Sequence, residues 1–215
     1  MELVINEDRY YIPKNWNELS LRRYIDFMTT YKEDVSETEK EVHLISTLTG
    51  APQAAITDMK KTDLNKSIDR LKELMLTECS EDLVLSFDID GVEYGFHPNL
   101  SEMKLKEFVD LDNKLQDAWA NMHLIMAILY RPITKRKGDK YTIEDYDYVN
   151  VDKRSKIFID ELSVSIVNAA ASFFLTIAVD YMKITTAYSR LNRQQKRQLT
   201  KQMKKSLQKN TVGTA

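Results

Sequence analysis

Leu162–Val179 reads LSVSIVNAAASFFLTIAV, 18 residues without a charged side chain. That length reaches the threshold for a membrane-spanning helix. Ser163, Ser165, Asn168, Ser172 and Thr176 interrupt the stretch, however, and Ala169, Ala170 and Ala171 add little apolar transfer energy. An uncharged helix is also what fills the centre of an all-helical domain, where neighbours cover every side. The stretch is therefore read as the core of one long central helix, from about Asp152 to Lys183, with no membrane contact.

Composition fits a soluble, helix-rich chain. In 215 residues, 43% are hydrophobic and 30% charged, ordinary for a globular protein. Gly (5) and Pro (4) are too scarce for the many tight turns of a barrel or sandwich. The lone cysteine, Cys79, excludes an internal disulfide framework and a four-thiolate zinc site. Met1–Pro13 has neither the basic nor the apolar stretch of a secretory signal.

Further elements follow from local pattern. Leu3-Val4-Ile5 and Tyr10-Tyr11-Ile12 flank a polar run and read as a hairpin. Leu21, Tyr24, Ile25, Met28 and Tyr31 recur at helical spacing after Ser20. Ser36-Glu37-Thr38-Glu39 is a capping box, and Gly50 suits the left-handed end of the helix it opens. A third helix covers about Asp63 to Leu76. Leu83, Leu85, Phe87 and Ile89 alternate with Val84, Ser86 and Asp88, Asp90-Gly91 supplies a turn, and Val92, Tyr94 and Phe96 return as a second hairpin. Ser101 is expected to cap a helix that turns Leu105, Phe108, Leu111 and Leu115 inward. Trp119 to Tyr130 continues helical until Pro132, Lys135–Lys140 reads as a basic loop, and Tyr141–Tyr148 as irregular or a short helix. The expected fold is mainly α: a helical body, 1–183, with two small β-hairpins at about 3–12 and 83–96 and a long central C-terminal helix, followed by a basic arm, 184–215.

Catalytic signatures do not emerge. His43, His97 and His123 stand far apart, without zinc-ligand spacing. Asp88-Ile89-Asp90-Gly91 lacks the calcium-loop glycine at its sixth position and a glutamate at its twelfth. Phosphate-cradling glycine motifs are missing. Glu107, Asp110 and Asp112 read as a solvated acidic surface or a partner contact. The chain is read as non-enzymatic, with no catalytic residue, cofactor or metal.

Charge is unevenly divided. After Asp180 there are nine basic residues and no acidic one. The remaining 22 basic groups face all 33 acidic ones, so residues 1–180 carry −11. Arg190, Arg193, Lys196, Arg197, Lys201, Lys204 and Lys205, interspersed with Leu199 and Met203, are candidate partner-binding residues, as are Tyr141, Tyr146 and Tyr148. Such an arm can be a solvated helix end, fold onto its own acidic body, lie on the acidic surface of a neighbouring copy or contact DNA phosphates.

Three segments carry a family resemblance: Gly91-Val-Glu-Tyr-Gly-Phe-His-Pro-Asn-Leu100, Phe108-Val-Asp-Leu-Asp112 and Asn121-Met-His-Leu-Ile-Met-Ala-Ile-Leu-Tyr-Arg-Pro-Ile-Thr134. With Trp16-Asn-Glu-Leu-Ser-Leu21, Leu44-Ile-Ser-Thr-Leu-Thr-Gly50 and Lys140-Tyr-Thr-Ile-Glu-Asp-Tyr146, they make residues 15–182 similar to small virion proteins of tailed bacteriophages, of the crAss-like phage type. The resemblance implies a structural ring protein at the portal and head–tail junction, a connector or neck component. It implies contacts with copies of itself, about twelve around the portal axis, and with portal or other tail proteins. The expected location is the virion, and the host cytoplasm during assembly. A cytoplasmic phage tail assembly chaperone is the alternative, and a nucleic-acid-binding interaction module a further one. The run Arg190–Lys209 is longer and more basic than the family pattern.

Overall fold

The computed structural model describes residues 2–5, 7–31, 33–77 and 82–174. The chain divides into Met1–Ala171 and Ser172–Ala215. The second unit is described only over 172–174, where the Phe173 and Phe174 rings meet edge to face at 5.6 Å.

The first part of the larger unit follows its sequence pattern closely. Strands β1 (Glu2–Ile5) and β2 (Asp8–Tyr11) pair antiparallel, Ile5 opposite Asp8. Helix α1 (Leu21–Thr30) buries Leu21, Ile25 and Phe27. In α2 (Glu37–Thr49), the Ser36 side chain accepts from Glu39 N–H and the Glu39 carboxylate accepts from Ser36 N–H, closing the capping box. Gly50 ends the helix at φ 78°, where a side chain would be strained. A short helix, α3 (Gln53–Thr57), leads to α4 (Lys61–Leu76), which buries Leu64, Ile68, Leu71 and Leu74. These side chains, with Ile12, Leu19, Ile45, Leu48 and Ile56, form one apolar cluster.

The second part corrects the expected fold. The hairpin of β3 (Ser86–Ile89) and β4 (Val92–Phe96) forms as expected, with Asp90 and Gly91 both at positive φ and Asp88 Oδ1 accepting from Gly91 N–H. It does not stand alone. Helix α5 (Leu105–Leu115) is followed by α6 (Met122–Leu129), and the chain passes from Leu129 directly into β5 (Tyr130–Lys137). Strand β5 pairs with β4 through Phe96 opposite Tyr130, and then with β6 (Lys140–Ile143). The result is a four-stranded antiparallel sheet in the order β3-β4-β5-β6. With its two sheets, the protein is mixed α/β, not mainly α.

The physical reason lies at Pro132. Proline forces the preceding residue into an extended conformation, so the helix must end before Arg131. The backbone thus released meets the open edge of β4 and continues as a strand. Pro132 keeps its one backbone hydrogen bond on the β6 side, its carbonyl accepting from Glu144 N–H just beyond the last residue of β6, so the missing N–H falls at the end of the β5–β6 ladder. Gly138, at φ 60°, turns the basic run back on itself, so the expected loop at Lys135–Lys140 is a hairpin.

The expected long helix is also interrupted. Helix α7 (Tyr148–Glu161) ends at Leu162, whose ψ of 128° is extended, and helical backbone resumes over 164–174. Ser163 makes an antiparallel bridge with Ser20. Leu21 N–H donates to Leu162 O, and Val164 N–H donates to Leu19 O, both at 3.0 Å. Two helix starts are thereby tied together, and pairing with a distant segment outweighs continuing one helix. Among the described residues, no helix is long and apolar enough to cross a membrane.

One face of the sheet packs as an aromatic cluster. Phe87 lies 5.0 Å from Tyr130 and 5.7 Å from Phe158 of α7, and Tyr94 meets Phe158 edge to face at 5.0 Å. Arg154 of α7 donates through Nε and Nη2 to the Ala127 carbonyl and through Nη1 to Glu144, joining α7, α6 and the end of β6.

Candidate interaction surface

Of the four residues of α5 expected to turn inward, only Leu111 does. The buried residues of the helix are Glu107 and Leu111. Leu105 is 78% exposed, Phe108 56%, Val109 46% and Leu115 51%. Ser101 does not cap it. Leu100–Glu102 is a separate 3-10 turn whose N–H at Ser101 donates to Asn99 Oδ1, and α5 begins after Lys104.

A buried polar network holds the helix this way round. Arg131, on the sheet face opposite to Tyr130, donates from Nη1 to Glu107 Oε1 at 3.2 Å, and both side chains are 3% exposed. His97 Nδ1 accepts from Asn99 N–H, which places the proton of the neutral ring on Nε2, 3.5 Å from Glu107 Oε2. Burial pushes the His97 pKa down, and the Arg131 cation adds to this, outweighing the pull of Glu107. Glu107 Oε2 and Arg131 Nε make no hydrogen bond. Around this pair, Lys104 bridges to Asp145 at 2.8 Å, Lys106 donates to Tyr146 O at 3.0 Å, and the Tyr146 hydroxyl donates to Asp110. The Tyr146 ring lies 5.4 Å from Lys106 Nζ and 6.0 Å from Arg131 Cζ. Burial, then the bond to Asp110, raises the Tyr146 pKa. The Lys104 ammonium holds the Asp145 carboxyl below its ordinary value.

Such a network holds α5 through Lys104, Lys106, Glu107 and Asp110 and leaves its outer stripe without cover. A buried ion pair broken at one partner strands the other in low dielectric, so α5 cannot roll to bury its leucines cheaply. The arrangement offers a rigid apolar ridge with an acidic rim. It offers no nucleophile beside a base, and among the described residues no group of three or more His, Cys, Asp and Glu is placed to hold a metal ion. In a groove of about 800 Å³ between α1 and α2, bordered by Asp26, Thr30, His43 and Thr47, Thr30 Oγ1 lies 3.3 Å from His43 Nε2 and donates to the Asp26 carbonyl.

The expected contact residues are distributed unevenly. Tyr146 is buried and belongs to the network. Tyr141 is half-buried; its hydroxyl lies 2.9 Å from both the Leu85 and Phe96 carbonyl oxygens, and its ring covers Gly95. Only Tyr148, 51% exposed at the start of α7, is free to meet a partner. Glu107 is buried in an ion pair, not part of a solvated acidic surface, while Asp112 is exposed. Arg190, Arg193, Lys196, Arg197, Leu199, Lys201, Met203, Lys204 and Lys205 lie outside the described residues, as does Cys79. Sequence reasoning missed the α5 ridge because it assigned Leu105, Phe108 and Leu115 to the core along with Leu111. The signal that could have found it is Glu107 three and four residues from Lys104 and Leu111: both cannot share an apolar interior unless the glutamate has a buried cation.

Compared with protein-family models, curated proteins and solved structures, the chain matches none of them.

Proposed function

We propose that this protein is a non-enzymatic structural subunit that works by assembling with copies of itself and with neighbouring proteins. More finely, we propose a ring component at the portal and head–tail junction of a tailed bacteriophage. The observation that carries the assembly reading is the α5 ridge: an apolar stripe on the outside of a helix held rigid by buried charge. A soluble protein that exposes aligned large apolar residues on one element has an interaction surface there. The −11 charge over residues 1–180 against nine cations beyond them supports contact between subunits. The phage reading is supported by the resemblance over 15–182.

Mass spectrometry of purified phage particles tests the finer reading. A ring subunit is expected at about twelve copies per particle. Absence from particles, with the protein confined to infected-cell cytoplasm, would favour the assembly-chaperone alternative. Sedimentation of the isolated full chain tests the coarser reading, which requires a mass above that of the monomer.

A further inference from the structure

We infer that the exposed side of α5 receives the basic C-terminal segment, residues 183–209, of a second copy of this chain. The inference rests on the assembly reading and names the surface and its occupant. The ridge presents Leu105, Phe108, Val109 and Leu115, with Asp112 set among them and exposed. Glu102 and Asp117 stand exposed just beyond the two ends of the helix, while Asp145 is paired with Lys104 at 2.8 Å. An occupant must therefore bring apolar side chains and cations together.

Residues 183–209 have that chemistry. They carry nine basic groups and no acidic one, and Leu199, Met203 and Leu207 recur at intervals of four. That interval aligns side chains along one side of a helix, as the ridge does. Leu199 lies 25 positions after Phe174, and an extended chain over that span reaches at most roughly 80–90 Å, far enough to meet a neighbour.

Two other occupants suit the ridge less well. A second α5 would set Asp112 against an equally acidic stripe, while Lys104 and Lys106 are already engaged by Asp145 and the Tyr146 carbonyl. DNA phosphates would be repelled by Asp112 and could use none of the apolar groups. A head-to-tail contact of segment on ridge is heterologous, the kind that closes rings by rotation.

Three sets of full-length variants test this by sedimentation and cross-linking. Leu105→Gln/Phe108→Gln and Lys201→Glu/Lys204→Glu/Lys205→Glu are each expected to fall from the wild-type assembly to monomer, with circular dichroism unchanged. In a Cys79→Ser background, Asp112→Cys chains mixed with Lys204→Cys chains under dissolved oxygen are expected to form a disulfide between the two. Asp112→Lys combined with Lys204→Glu is expected to recover part of the assembly that Asp112→Lys alone loses. If the ridge variant assembles like wild type, the inference is wrong while the assembly reading stands. A disulfide formed only within doubly substituted single chains makes the occupant the chain's own segment, which overturns the inference. So does a segment variant that keeps its assembly and loses only salt-sensitive DNA binding. A wild-type chain that stays monomeric overturns both the inference and the assembly reading.

Discussion

Residues 2–77 and 82–161 are stabilised in opposite ways. Among the described residues of the first region, the buried polar side chains are Thr49 and Ser67, each donating to the carbonyl four residues back on its own helix. Its core is otherwise apolar and mostly aliphatic, with Ile45, Leu48 and Leu71 at or below 2% exposure and Phe27 among them. The second region buries His97, Glu107, Arg131 and Arg154 and leaves Leu105, Phe108 and Leu115 outside. An aliphatic core tolerates many substitutions of similar volume, while a buried ion network tolerates almost none at a single partner. The first region therefore behaves as scaffold. The second specifies one orientation of α5, at a cost in stability that makes sense if the outer face of α5 has work to do.

The largest expected effect breaks this contrast at its centre. Glu107→Ala leaves Arg131 buried without its carboxylate and should cost about 3–5 kcal/mol. Replacing both partners by apolar residues, Glu107→Leu with Arg131→Met, should recover most of that loss or exceed it. In the first region Leu71→Ala should cost about 2–5 kcal/mol through cavity formation, and no second substitution of a partner should restore it. Urea denaturation of the four variants measures both halves of the comparison. A double replacement no more stable than Glu107→Ala would mean that the ion network is not what separates the regions.

Glycine sharpens the contrast at intermediate size. At Gly95 a Cβ would meet Tyr141 Cε2 at 2.5 Å and Ile133 Cγ1 at 2.9 Å. Tyr141 cannot yield without losing its hydroxyl contacts to Leu85 and Phe96. Gly95→Ala should therefore cost about 1–3 kcal/mol by overpacking. Gly50→Ala, strained by its φ of 78° and with a Cβ only 3.2 Å from the flexible end of Arg23, should cost about 1–2 kcal/mol. Thermal midpoints of the two variants rank the effects.

These two glycines also mark what could be read from sequence. Gly50 follows an apolar stripe opened by a capping box, so its conformation is written in its neighbours. Asp90-Gly91 is equally local. Gly95 owes its identity to a tyrosine 46 positions later, on a strand that pairs two strands away. Strands β5 and β6 were hidden because Lys135, Arg136, Lys137 and Lys140 mask the alternation around the Gly138 turn, and because the apolar run of α6 continues into Tyr130 without a break in composition. The interruption at Leu162–Ser163 depends on a bridge to Ser20, which no periodicity within 152–183 reveals. The α5 ridge was visible as an amphipathic helix. Its direction was not, since that depends on Arg131 arriving from another element.

Acid should separate the regions further. His97 and His123 both lie in the second region, and burial depresses both below the ordinary value of 6.5. Arg131 adds to the depression at His97, and Arg22 and Lys114 add to it at His123. Below about pH 6.5 the unfolded chain takes up protons that the folded chain refuses, so stability is full above that pH and declines as pH falls through it toward the folded values. The lowered carboxyls of Asp145 and Asp160 act only below 3.8 and do not obscure this window. Urea midpoints are expected to fall between pH 7 and pH 5, and His97→Gln/His123→Gln should flatten the decline. A midpoint constant across that window would show that the histidines are solvated.

The smallest expected effect on stability isolates the functional half of the comparison. Each region exposes an apolar helix residue: Met75 is 46% exposed on α4 and Leu105 is 78% exposed on α5. Neither contributes much to its core, and glutamine matches methionine and leucine in helix propensity, so neither substitution disturbs the backbone. Met75→Gln and Leu105→Gln should therefore each change the unfolding free energy of the dissociated chain by no more than about 0.5 kcal/mol. Their effects on association should differ. Loss of a large apolar contact at an interface centre typically costs about 1 kcal/mol or more of binding, so Leu105→Gln should raise the concentration at which the chain assembles. Met75→Gln should leave it where it was, because Met75 borders a groove of its own region with Phe27, Met28 and Ile68, while Leu64, Leu71 and Leu74 of α4 are turned inward. Equal shifts for the two variants would reduce the α5 ridge to ordinary surface hydrophobicity, and the contrast between the regions would then concern folding alone.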